Sequence, residues 1–96
     1  MILHTVKSSP FSSFSLQDCL KQLTNEDKLL LIGDAVVAVS AFLDCQSKLL
    51  QLHHDKRLFV LSVDLEARGV EAKYGQVISY IEFVNLAIEC KAQLAW

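Results

Sequence analysis

Hydrophobic positions along the chain alternate between short continuous runs and helical stripes. Ile2-Leu3-His4-Thr5-Val6 reads as a short strand, and Ser8-Ser9-Pro10 punctuates it because proline fixes φ and drives the preceding residue toward extended geometry. Ser15 is the expected start of a helix, with Asp18 three residues on as a capping signal. Leu16, Cys19, Leu20 and Leu23 recur at i, i+3, i+4 and i+7, which is one helical face. The polar stretch Thr24-Asn25-Glu26-Asp27 ends it.

Leu29-Leu30-Leu31-Ile32 is an unbroken apolar run, the pattern of a central strand covered on both faces. Gly33-Asp34 turns the chain, with Asp34 as candidate N-cap of a second helix over Ala35 to Leu43. The β-branched Val36, Val37 and Val39 weigh against helix there. Residues Asp44 to Asp55 carry no decisive period and are expected only to be peripheral. Leu58-Phe59-Val60-Leu61 is a third strand. Asp64 to Arg68 is a short helix closed by Gly69, since glycine accepts the left-handed conformation that ends helices. Val77-Ile78-Ser79-Tyr80 is a fourth strand. A last helix is expected over Glu82 to Leu94, with Phe83, Leu86, Ala87 and Cys90 on its stripe. Strands alternating with helices imply an α/β fold: a single three-layer α/β/α domain over residues 1–96, around a mostly parallel sheet with right-handed crossovers.

Composition sharpens this picture. Apolar residues make up 52% of the 96 positions and mean hydropathy is +0.33. That is rich for a small domain with a large surface, and implies that partners cover part of it. The net charge of −2 comes without a basic tract, so direct nucleic-acid binding lacks its electrostatic footprint. Met1-Ile2-Leu3-His4-Thr5 has no signal-peptide pattern. The longest apolar region, Leu29 to Leu43, is interrupted by Gly33, Asp34 and Ser40 and is too short to span a bilayer. Cys19, Cys45 and Cys90 are odd in number and form no CxxC, which fits a reducing, cytoplasmic compartment rather than a disulfide framework.

Candidate chemistry is sparse. No glycine-rich phosphate loop and no GxSxG elbow is present. Asp34 resembles a phospho-acceptor by position, but Lys7-Ser8-Ser9 stands where a receiver domain needs an acidic cluster. His53-His54 point in different directions on a helix or a strand, so a solvated segment outweighs a metal site. His4 is expected to be a hydrogen-bonded residue at a strand end. Cys90 lies on a core stripe. Cys19 shares its face with three leucines, beyond the free N–H groups of the first turn. A buried structural thiol is therefore the expectation, with a reactive thiol as the alternative. No cofactor or metal is implied.

Several segments together resemble the TusB/DsrH family, within the DsrE-like superfamily. They are Leu3-His4-Thr5 with Ser9-Pro10, the run Leu29 to Ile32 with Asp34, Asp64-Leu65-Glu66-Ala67-Arg68-Gly69, the pattern Tyr80-x-x-Phe83-Val84-x-Leu86, and the ending Gln93-Leu94-Ala95-Trp96. The resemblance runs nearly the whole length of the chain and implies a DsrE/flavodoxin-like fold. It departs from the family at Ala35, where members read D-G-V; alanine adopts positive φ at a cost, so a different turn is expected. Cys19 stands where DsrH-type members carry cysteine and some TusB-type members do not.

The resemblance implies a non-catalytic subunit of a heterohexameric sulfur relay. Its partners would be TusC-like and TusD-like subunits, with a TusA-like persulfide carrier upstream and a TusE-like acceptor downstream. The sulfur would pass toward 2-thiouridine at the tRNA wobble position or, in DsrH-type systems, through dissimilatory sulfur oxidation. In D-type subunits the acceptor cysteine lies where Leu61-Ser62-Val63 stands here, without a cysteine. A thiol carrier acting through Cys19 is the competing reading. Leu94 and Trp96 are the interface candidates, expected to pack on the body or on a partner.

Overall fold

In the computed structural model, which describes residues 1–41, 43 and 45–96, the short apolar runs become strands. They are β1 (Ile2–Val6), β2 (Lys28–Leu31), β3 (Leu58–Leu61) and β4 (Gln76–Ile78), joined by β5 (Ala92–Ala95). One fully parallel sheet results, in the order β4-β3-β2-β1-β5. Every residue of β3 is buried, as are Leu29, Leu30 and Leu31 of β2. A strand sandwiched between two layers has no polar face, which is why these runs are continuous rather than alternating.

The helices are α1 (Ser15–Gln22), α2 (Gln46–His54), α3 (Ser62–Arg68) and α4 (Tyr80–Cys90), with a 3₁₀ segment at Gly33–Val39. Successive strands from β1 to β4 step in one direction, so α1, the 3₁₀ segment, α2 and α3 gather on one face. Their core contains Val6, Leu16, Cys19, Leu29, Leu31 and Leu65, among others. The step from β4 to β5 runs back across the sheet and carries α4 to the opposite face. There Leu3, Leu30, Phe59, Ile78, Leu86 and Cys90 form the second core. Leu30 faces one core while Leu29 and Leu31 face the other, as the two-residue period of a strand requires. The three-layer α/β/α expectation is met, with a sheet that is wholly parallel.

Three local expectations are corrected, and the stretch left open between helix and strand is assigned. The stretch expected as a helix from Ala35 to Leu43 is a 3₁₀ segment that ends at Val39; three valines crowd the α-helical turn there. Phe42, within that stretch, lies outside the described residues. Asp34 does not cap the segment; its carboxylate pairs with Arg68 Nη2 at 2.8 Å instead. The unassigned stretch Asp44 to Asp55 holds α2, apart from Asp44, which also lies outside the described residues. The last helix starts at Tyr80, where Ser79 and Glu82 form a capping box, and it stops at Cys90. Lys91 takes a left-handed conformation at φ 67°, and the chain continues as β5 rather than as helix.

The turn after β2 is made two residues before the Ala35 departure. Gly33 carries the positive φ, at 53°, and its N–H donates to Asp64 Oδ2 at 2.8 Å. Ala35 is fully buried in the core and does not need positive φ.

Candidate functional site

Cys19 is fully buried on the inner face of α1. Burial, reinforced by the nearby Asp27 carboxylate, pushes its thiol up to about 12. A thiol in that state holds its proton at neutral pH and is a poor nucleophile. Cys90 is buried against the second core, and burial raises it too, against the pull of Lys28. Cys45 immediately precedes α2 and is half-buried. Leu61-Ser62-Val63, the stretch that the family resemblance sets against the acceptor region of D-type subunits, spans the carboxyl end of β3 and the first turn of α3 and holds no cysteine. Among the described residues no group of three or more His, Cys, Asp or Glu side chains is placed to hold a metal. His53 Nδ1 accepts a hydrogen bond from the Gly75 N–H at 3.0 Å, a structural role.

The polar feature that sequence reasoning missed is buried beside β1. The Trp96 indole N–H donates to His4 Nδ1 at 3.0 Å. An indole nitrogen can only donate, so Nδ1 must accept and the imidazole proton sits on Nε2. From there it is donated to Asp27 Oδ2, also at 3.0 Å. Asp27 further accepts from the Ile2 N–H on Oδ1 and from the Thr24 N–H on Oδ2. Burial works to raise this carboxyl, but the hydrogen bonds from His4, Thr24 and Ile2 outweigh it and hold it down at about 2. His4 is 2% exposed and Asp27 3%, so no substrate reaches either. The cluster joins β1, the α1–β2 turn and the end of the chain. It is a structural tie rather than an acid–base site.

The tail itself splits the two interface candidates. Trp96 turns inward against the first core, and its backbone N–H donates to the Thr5 carbonyl at 2.9 Å. Leu94 lies in the exposed strand β5 and is 46% exposed.

A chemically distinctive surface lies on α4. Phe83, Leu86, Ala87 and Cys90 pack on the sheet. The opposite side of the helix carries Ile81, Val84 and Ile88 at i, i+3 and i+7, exposed to 73%, 42% and 71%. Tyr80 stands beside them, 61% exposed, edge-on to Phe83. A surface helix ordinarily keeps one apolar stripe and a polar outer face. This helix is apolar on both, with polar residues confined to a wedge of Glu82, Asn85 and Glu89. The wedge lines a groove over Phe59 and Ile78. The signal was present in the sequence, where Tyr80-Ile81-x-Phe83-Val84-x-Leu86-Ala87-Ile88 is too apolar for a helix with one buried side. No helix among the described residues is long and apolar enough to cross a membrane.

The chain is similar to known proteins along nearly its whole length. The family described as DsrH like protein matches residues 8–93. Proteins named Protein TusB from Yersinia pestis (strain Pestoides F) and Yersinia pseudotuberculosis serotype O:1b (strain IP 31758) are each 37% identical over 98 residues, covering 99% of this chain and all of theirs. With a match along nearly its whole length, a parallel sheet in the expected order of elements and the D-L-x-A-R-G segment closing α3, the chain belongs to the TusB/DsrH family.

Proposed function

We propose that this chain is a supporting subunit of a sulfur-relay complex, assembled with TusC-like and TusD-like subunits into a heterohexamer. In that complex persulfide sulfur arrives from a TusA-like carrier and leaves to a TusE-like acceptor, toward 2-thiolation of the tRNA wobble uridine. The observation that carries the reading is the exposed apolar outer face of α4 in a chain of the TusB/DsrH family. A side chain such as Ile81 or Ile88 contributes roughly 1.5–3 kcal/mol when it leaves water, so the stripe favours association. Leu94, on the open edge of β5, extends the docking surface, and Trp96 contributes by holding that strand in place.

Two further features support a supporting role over a catalytic one. The stretch Leu61-Ser62-Val63, which the resemblance sets against the D-type acceptor region, holds no cysteine to carry a persulfide. Cys19, the alternative sulfur carrier, is buried and protonated. The test is co-expression with TusC-like and TusD-like subunits, followed by size-exclusion chromatography with light scattering. A defined complex of two copies of each is expected. A well-behaved monomer that ignores those subunits would overturn the reading.

A further inference from the structure

We propose that the outer face of α4 seats a helix from a different subunit, one whose own apolar stripe is flanked by lysine or arginine. The inference rests on the reading of the chain as a relay subunit and specifies the chemistry of the contact. The shape of the seat selects a helix. Ile81, Val84 and Ile88 recur at i, i+3 and i+7 along α4, the alternating spacing of a seam between two helices. The inner side of α4 is already occupied by the sheet, so the ridge is open to a neighbour.

Charge selects the kind of neighbour. Between Tyr80 and Cys90 there is no cation, while Glu82 and Glu89 both lie on one flank of the ridge. Glu82 Oε1 accepts the Ser79 N–H, which leaves its charge in place. Glu89 pairs with Lys28 at 3.1 Å and remains 62% exposed. The other flank ends at Lys91. A second copy of this chain meets these flanks poorly. An antiparallel two-fold pair sets like flank against like, carboxylates facing carboxylates. A parallel two-fold pair sets the acidic flank, where Lys28 meets only Glu89, against the apolar Tyr80 and Val84. A partner helix with a basic flank relieves both problems, and like-charge juxtaposition is what disfavours the alternatives.

The test uses the full chain mixed with purified TusC-like and TusD-like subunits, with association read by sedimentation across a salt series. Ile81→Ser combined with Ile88→Ser is expected to weaken association at least about tenfold. The variant's own melting should not change, because both side chains are exposed. Asn85→Lys, which sets a cation in the acidic flank, is expected to weaken association and flatten its salt dependence, and Asn85→Glu to tighten it. The inference fails if the double serine variant associates like the wild type, or if Asn85→Lys tightens the complex. It fails equally if the wild-type chain forms homodimers that the serine variant dissolves, since the occupant is then a second copy. A wild-type chain that binds neither subunit refutes the relay reading itself, whereas binding through another face refutes this inference alone.

Discussion

Trp96 and His4 stand ninety-two positions apart and share a hydrogen bond of 3.0 Å. The bond fixes the imidazole tautomer and thereby the donor that Asp27 receives. Trp96→Phe keeps the ring and removes the N–H, leaving His4 Nδ1 buried without its donor. A loss of about 1–2 kcal/mol is expected, measured by urea unfolding. Removing Leu94 through Trp96 takes away the indole contact as well and should cost about 2–3 kcal/mol. Equal unfolding midpoints for wild type and truncation would show that the tail contributes nothing to the fold.

Asp27 gives the fold an acid limit. Its folded-state pKa, about 2, lies below the roughly 3.9 of an unfolded aspartate. A depressed carboxyl stabilises the folded state above the unfolded value, and this contribution fades as pH falls through the folded one. The loss therefore falls between about pH 4 and about pH 2, and amounts to on the order of 2 kcal/mol. Asp27→Asn should destabilise the protein at neutral pH by about 2–3 kcal/mol and remove this part of the acid dependence. Thermal melts from pH 7 downward check both; an Asn variant with an unaltered acid limb contradicts the assignment.

Cys19 should be silent. Its thiol is expected to resist alkylation at neutral pH until the protein unfolds. Cys19→Ala should lose about 1 kcal/mol of packing while labelled sulfur passes through the assembled complex at near wild-type rate. An intact complex in which Cys19→Ala stops the relay would place the thiol on the sulfur path.

Two glycines separate backbone strain from crowding. Gly69 sits at φ 63° with open space around a would-be Cβ, whereas Gly75 sits at φ 87° with Val60 Cγ2 only 3.0 Å from that position. Gly69→Ala should cost about 1 kcal/mol from conformation. Gly75→Ala adds displacement of Val60 in β3 and should cost about 2–3 kcal/mol. Chemical denaturation of the two variants orders them; equal losses would mean that Val60 yields freely.

The two inner runs were legible because two-sided burial leaves little choice of residue: Leu29 to Leu31 and Leu58 to Leu61 could hardly be anything but inner strands, whereas the fourth strand, expected over Val77 to Tyr80, is a largely exposed edge strand over Gln76–Ile78. β5 was not legible. Ala92, Gln93 and Leu94 favour helix, and the break before them falls at Lys91, whose left-handed conformation has no glycine to announce it. Ser79 and Glu82 did carry a capping signature, masked by the β-branched Val77-Ile78 just before it. The Asp27 cluster was hidden for a different reason. Its ligands come from positions 2, 4, 24 and 96, brought together by the sheet, while Thr24 to Asp27 read as an ordinary polar turn. The α4 surface was visible as excess apolarity in the composition, but its direction required knowing which side of the helix the sheet occupies.

The strand order also has a kinetic consequence. β1 lies between β2 and β5, so the first strand of the chain gains its second neighbour only when residues about ninety positions later have arrived. Contacts of such long sequence separation form late, because a large loop must close before they are rewarded. Until then the intermediate carries a bare backbone edge along β1, next to a histidine and an aspartate without their indole. An unpaired parallel edge is adhesive toward other chains. The vulnerable interval in the life of this protein therefore lies during folding, before Trp96 docks, and a slow final phase that is lengthened by loss of the tail would be its signature.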